Sequence, residues 1–167
     1  TGTLVGEIIE LIAPPEGVSI AVQAEMPVIE SERVPLQQVF MNLIGNGIKY
    51  ARAVRPDVRI QLGWRRSMDG FQFTISDNGP GIAAEYHERI WGIFKTLQPR
   101  DKVEGNGIGL SLVTKIVDRR SGHVWLRSAV GEGSPFHFTW PRMAGSPERG
   151  AKAWVREGTT SCQTRTM

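Results

Sequence analysis

The sequence predicts an α+β domain: a two-layer sandwich in which one mixed, mostly antiparallel sheet is covered on one face by helices. Three observations lead there. The hydrophobic period switches repeatedly between helical and alternating along the chain. Two alternating runs flank Ser67-Met68-Asp69-Gly70, as in an antiparallel hairpin. The resulting order is helix, strand, helix, strand, strand, an irregular segment, helix, strand, strand.

The first helix is read from Leu4, Val5, Ile8, Ile9, Leu11 and Ile12, stopped by Pro14-Pro15; Val18, Ile20 and Val22 then alternate as a strand. From Pro35 to about Ala53 the apolar set Leu36, Val39, Phe40, Leu43, Gly47 and Ala51 restores the helical period, and Arg55-Pro56-Asp57 closes it. Val58, Ile60, Leu62 and Trp64 form the first arm of the hairpin, and Phe71, Phe73 and Ile75 the second. Ala83 to Glu104 has a short helical piece around Tyr86 to Ile90 and then a polar stretch without period, the pattern of a mobile lid. Ile108, Leu112, Ile116 and Val117 predict a third helix face ending at Ser121-Gly122. Strands at Val124 to Arg127 and Phe136 to Trp140 follow, joined through Gly131-Glu132-Gly133-Ser134. Residues 1–141 therefore form one domain, and 142–167, polar and aperiodic, are expected to be a disordered tail.

With 167 residues and 40% hydrophobic content the chain is long enough for one proper core. The formal charge of +3 comes from 20 Lys+Arg scattered among 17 Asp+Glu, so no nucleic-acid surface is implied. The single cysteine, Cys162, allows neither a disulfide framework nor a cysteine metal site, which points to a reducing, cytoplasmic setting. No apolar run approaches the roughly 18 residues of a membrane span, so no membrane contact is expected of this segment. Thr1 opens directly on helical patterning, and the sequence reads as a fragment of something longer.

The chemistry concentrates in three places. Gln38, Asn42, Asn46 and Lys49 fall within about 80° of arc on the second helix, opposite its apolar residues. Alone this is an ordinary solvated face, but two carboxamides and an ammonium also form a shelf for metal and phosphate. Asp77, at a strand end before Asn78-Gly79-Pro80-Gly81-Ile82, could belong to a mere tight turn. A carboxylate in a partly apolar pocket, however, accepts from the exocyclic amine of adenine and opposes the carbonyl of guanine, so Asp77 predicts ATP over GTP. Gly105-Asn106-Gly107-Ile108-Gly109-Leu110 precedes a helix, where free N–H groups and the positive end of the dipole meet phosphate oxygens. Its spacing fits neither a dinucleotide fingerprint nor a P-loop.

In order along the chain, Asn42-Leu43-Ile44-Gly45-Asn46-Gly47-Ile48-Lys49-Tyr50, Asp77-Asn78-Gly79-Pro80-Gly81-Ile82, Ile93-Phe94-Lys95, Gly105-Asn106-Gly107-Ile108-Gly109-Leu110 and Gly131-Glu132-Gly133-Ser134-Pro135-Phe136 resemble the successive boxes of the sensor histidine kinase catalytic domain. The likeness covers about Leu4 to Pro141. The Phe94 to Gly105 stretch, with Leu97 and Arg100-Asp101, looks closest to the phytochrome-like group. The resemblance implies the Bergerat, or GHKL, fold and an ATP site with Mg²⁺. Asn46 would be the metal ligand, and Asn42 and Lys49 the catalytic residues facing the phosphates. Tyr50 would lie beside the nucleotide, and Asp77, Gly79, Gly81 and Ile82 around the base. Gly105, Gly107, Ile108, Gly109 and Leu110 would form the phosphate end of the lid.

Two departures from the family pattern stand out: Gly47 where Ala is usual, and Asn106 where Thr or Ser is common. ATP-hydrolysing relatives carry a glutamate where Asn42 stands, and Asn42 cannot act as a base, so phosphoryl transfer is expected and not hydrolysis. The resemblance implies an acceptor histidine on a separate helical dimerisation domain and, beyond it, a response regulator receiver domain. His87, His123 and His137 do not supply that acceptor. His87 reads as a surface or lid-packing residue, His137 as structural and His123 as a strand-edge residue, while Trp91 and Phe94 are expected to anchor the lid. The other reading is a degenerate domain that serves as a nucleotide-binding regulatory or interaction module; an ATPase of the chaperone or topoisomerase type is disfavoured by Asn42.

Overall fold

The computed structural model describes residues 1–92 and 107–142. Their elements are α1 (Gly2–Ile12), β1 (Val18–Val22), α2 (Arg33–Arg52), β2 (Val58–Ser67), β3 (Gly70–Asp77), two single 3₁₀ turns (Ala84–Tyr86 and Arg89–Trp91), α3 (Gly109–Asp118), β4 (Val124–Leu126) and β5 (Phe136–Pro141). The α+β expectation holds. The five strands lie in the order β1-β2-β3-β5-β4, with β1 parallel to β2 and every other pair antiparallel.

The parallel pair follows from connectivity: α2 crosses over between β1 and β2, the arrangement a parallel neighbour requires. The hairpin forms as its sequence indicates, with Ser67 opposite Gly70 and Ile60 opposite Asp77 at the far end. α1 stops where Ala13 turns left-handed (φ 46°) before Pro14.

The core lies between one sheet face and the three helices. Val58, Ile60 and Leu62 from β2, Phe73 and Ile75 from β3 and Phe138 and Trp140 from β5 are all buried against Val39, Phe40, Leu43 and Ile44 of α2 and Val113 and Val117 of α3. Phe40 sits edge-on to both Phe73 and Phe138, 5.3 and 5.5 Å between centroids, which fixes α2 across the middle of the sheet. The apolar residues assigned to α2 from the sequence are all buried, and Ile44 and Ile48 join them.

Two local expectations are corrected. The helical piece around Tyr86 to Ile90 is a pair of 3₁₀ turns, too short for a helical stripe, anchored by buried Ile90. The third helix begins at Gly109, one residue later than its apolar pattern indicated. Ile108 is its N-cap and is 43% exposed, while the buried stripe runs through Ser111, Val113 and Val117. Residues 93–106, where the sequence suggested a lid and which include Phe94, Gly105 and Asn106, and residues 143–167, expected to be a tail, lie outside the described residues.

Candidate nucleotide site

α2 carries the polar shelf at the end of the sandwich where β3 finishes. Asn42 donates from Nδ2 to the carbonyl of Gln38 (2.8 Å), the back-bond one turn away that a mid-helix amide makes, and this leaves its Oδ1 facing outward. A Cβ on Gly109 would stand 2.8 Å from that Oδ1 and 3.7 Å from Nδ2 of Asn46. The start of α3 therefore rests on the two carboxamides, and a side chain at Gly109 would have to shift the Asn42 amide. The Asn46 side chain makes no hydrogen bond to a described residue. Lys49 lies one turn further on, its Nζ 4.8 Å from the ring centre of half-buried Tyr50, whose hydroxyl is pushed above its usual pKa by burial.

At the other end of the shelf, β3 ends in Asp77. Its Oδ1 accepts the Gly79 amide at 2.8 Å. Burial pushes this carboxyl up to about 6, against the pull of the Gly79 and Ser134 amides, which favour the charged form. Desolvation wins because only two backbone donors oppose it, in a cleft walled by Ile60, Ala51 and Gly47. At neutral pH the group is still mostly ionised, and a carboxylate there can only accept. Gly79 packs on Ala51, 3.2 Å from the Cα to where its own Cβ would be.

Gly47 explains its own presence. A Cβ there would stand 2.9 Å from Cδ1 of Ile60 and 3.3 Å from Cβ of Asp77. The missing methyl lets α2 settle against β2 and β3 at the point where Asp77 is held, a close approach that outweighs the roughly 1 kcal/mol a helix-interior glycine costs.

The turn after Asp77 is braced by a second loop, 128–134. Gly81 is left-handed (φ 72°), and a Cβ on it would collide with the Ala129 carbonyl; Gly133 (φ 79°) presses on the Asp77 carbonyl in the same way. The Gly131 amide donates to the Pro80 carbonyl (2.7 Å). The Ser128 hydroxyl accepts from the Ile82 amide (2.9 Å) and donates to the Gly133 carbonyl (2.6 Å), tying the loops together. Sequence reasoning missed Ser128, and no local pattern marks it, since its two partners lie in different loops. Asn78 looks outward instead, accepting from the Arg59 amide and donating to the Asp57 carbonyl, which locks the start of β2.

The predicted site residues thus gather as two clusters on one surface. Gly109 meets Asn42 and Asn46 at the α2–α3 junction, with Gly107 and Ile108 just before it in the chain and Leu110 just after; Asp77 holds Gly79 at the end of β3, Gly81 and Ile82 follow in the same turn, and Lys49 and Tyr50 lie further along α2. Gly107 is left-handed (φ 63°), a conformation that glycine adopts without strain. Gly105 lies outside the described residues.

The histidines occupy other places. His87 Nε2 is 3.0 Å from the Ile82 carbonyl, between the turn after β3 and the first 3₁₀ turn; His137 is bonded to Thr74 Oγ1 (2.9 Å) within the sheet; His123 is exposed beside β4. Trp91 packs edge-on to Phe136, 6.0 Å between centroids, just before the residues that are not described.

No three His, Cys, Asp or Glu side chains converge as a metal cluster among the described residues. Nucleotide-bound Mg²⁺ takes few protein ligands and hard oxygen donors, and the Asn42 and Asn46 carboxamides are donors of that kind.

Residues 31–144 match the family described as histidine kinase-, DNA gyrase B-, and HSP90-like ATPase. Phytochrome-like protein Cph1 of Synechocystis sp. is 43% identical over 117 residues, 70% of this chain but 15% of its own length. The adaptive-response sensory kinase SasA of Synechococcus sp. is 38% identical over 120 residues, 72% of this chain and 31% of its own. The chain therefore spans a minor part of these relatives. Among solved structures, full-length ShkA in complex with AMPPNP aligns at TM-score 0.68 and 27% identity, covering 81% of this chain and 28% of that one. The catalytic domain of histidine kinase ThkA aligns at TM-score 0.70 and 24% identity over 84% and 93%, a likeness of fold. The chain belongs to the histidine kinase-, DNA gyrase B- and HSP90-like ATPase family, as an ATP-binding catalytic domain of the sensor histidine kinase type.

Proposed function

We propose that this domain binds ATP with Mg²⁺ and holds the γ-phosphate for transfer to a histidine on a helical dimerisation domain outside the chain. Asp77 accepts the adenine amine, with Gly79, Gly81 and Ile82 shaping the base pocket and Tyr50 beside the nucleotide. Asn46 holds the metal, which neutralises phosphate charge when bound. Asn42 and Lys49 orient the phosphates, and Gly105, Gly107, Ile108, Gly109 and Leu110 supply backbone N–H groups and apolar contacts from the lid.

The observation that carries this reading is the seat of Gly109 on Asn42 and Asn46: the first turn of α3, whose leading amides have no partner within the helix, stands against the two carboxamides of α2. Asn42 has no basic lone pair to take a proton from water. The site therefore works by orientation and charge neutralisation, and water is a poor competitor of a positioned imidazole.

The phosphorylated histidine would then serve a response regulator receiver domain. Among the described residues no helix is long and apolar enough to cross a membrane, and a reaction that uses ATP is consistent with a cytoplasmic site.

The test is phosphate transfer from γ-labelled ATP when the helical domain is supplied in cis or in trans. Label on the histidine supports the reading. ATP binding without transfer would assign a regulatory nucleotide-binding module, and steady phosphate release by this chain alone would assign an ATPase.

A further inference from the structure

The helices cover one face of the sheet, and among the described residues no helix lies on the other. That face is not merely solvated. A cavity of about 520 Å³ lies over it, lined by Gln23, Gly63, Arg65, Thr74, Arg127 and His137 among others. A second, of about 380 Å³, continues it past Gly63 and Thr74 toward Ala21, Gln61 and Ser76. Together they form a trough across several strands, and no aspartate or glutamate lines either part.

Its charge is one-sided. Arg65 gives Nε and Nη2 to the same oxygen of Gln72 (2.9 and 2.7 Å), a neutral acceptor that fixes the guanidinium without cancelling it. The Arg127 side chain has no hydrogen bond or ion pair with a described residue. Burial, and after it the Arg127 and Arg65 guanidiniums, hold the His137 imidazole below the usual histidine pKa. That imidazole is stacked under Trp125, 5.1 Å between centroids and 17° from parallel, and anchored by Thr74. Arg65 on β2 and Arg127 after β4 line the same cavity with no acidic side chain among its lining residues, an arrangement that an anion between them would balance.

We propose that this trough is a docking groove for an acidic, extended protein segment, whose carboxylates sit between Arg65 and Arg127 over the Trp125–His137 stack. Three features select that occupant. Guanidiniums in rigid forks match carboxylates. The aromatic ledge accepts the stem of a side chain. The neutral arm along Gly63, Thr74, Ser76 and Ala21 has small side chains, leaving room for a chain that runs beyond the charged end and exceeds a single small anion. The groove is separated from the nucleotide site by the thickness of the sheet, so the two can be tested independently.

The experiment titrates the full 167-residue chain with a poly-glutamate peptide, a poly-glutamine peptide of the same length, inorganic phosphate and a short single-stranded oligonucleotide, followed by amide and imidazole NMR signals. Poly-glutamate should shift the signals of Arg65, Trp125, Arg127 and His137, raise the His137 pKa and weaken with added salt. The double variant Arg65→Gln, Arg127→Gln should lose about tenfold or more in peptide affinity while its ATP affinity, which also reports that it folds, stays unchanged. The proposal is overturned if poly-glutamine binds as well, if phosphate or the oligonucleotide matches poly-glutamate, if the shifts fall elsewhere, or if the double variant binds the peptide undiminished.

Discussion

Asp77→Asn should separate what the site needs from what the fold prefers. The carboxyl is pushed from an ordinary 3.8 to about 6 in the folded domain, mainly by burial. A raised acid means that the folded state holds its proton more tightly than the unfolded chain. The associated stability is complete below about pH 4 and is lost as the pH rises through 6. A displacement of about two pH units corresponds to about 3 kcal/mol of penalty on the nucleotide-free domain at neutral pH. Asparagine is isosteric and uncharged, and its Oδ1 can keep the Gly79 amide bond. Its amide nitrogen cannot accept as the carboxylate oxygen does, which offsets part of the gain. We expect Asp77→Asn to stabilise the nucleotide-free domain by about 1–2 kcal/mol at pH 7.5 and by close to nothing at pH 4.5. The assay is urea denaturation of both proteins at the two pH values, with ATP calorimetry at pH 7.5. The same substitution should abolish ATP binding, because an amide presents a donor to the adenine amine. A gain independent of pH, or a loss at pH 7.5, would refute the claim that desolvation dominates at Asp77.

Other consequences follow from the same geometry. ATP affinity of the parent domain should fall by about tenfold between pH 7 and pH 5, as Asp77 protonates near 6 and loses its acceptor; a flat calorimetric profile over that range would count against it. Gly47→Ala gains helix propensity but must displace Ile60 and Asp77, so ATP affinity should drop several-fold while thermal stability changes by no more than about 1–2 kcal/mol; unchanged affinity would show that the close approach does not position the carboxylate. Gly81→Ala meets both a left-handed backbone and the Ala129 carbonyl, and should cost about 2–3 kcal/mol in urea denaturation; a cost below about 0.5 kcal/mol would show that the two loops are not held together as described.

What the sequence revealed, and what it hid, divides by physical range. α2 was legible because eight buried residues repeat at helical spacing over 20 positions, leaving Asn42, Asn46 and Lys49 aligned on the other side. The hairpin was legible because its turn residues are adjacent in sequence. The place of β5 between β3 and β4, and the parallel join of β1 to β2, were not, because strand partners far apart in the chain leave no local pattern. Asp77 was recognised from its box, yet its raised acidity depends on burial by Ile60, Ala51 and Gly47, which only packing supplies. Gly47 stood out in the sequence only as a departure from the usual Ala, and its closeness to Ile60 and Asp77 comes from packing. Ile108 was placed on the face of the third helix because a capping residue can share the apolar period of the helix it precedes.

The most direct measurement is a crystal structure of the domain with a non-hydrolysable ATP analogue and Mg²⁺. The account predicts the Asp77 carboxylate on the adenine amine, the Asn46 carboxamide oxygen on the metal and the amides at the start of α3 on the phosphates. Adenine bound away from Asp77, or phosphates away from the junction of Asn42, Asn46 and Gly109, would contradict it.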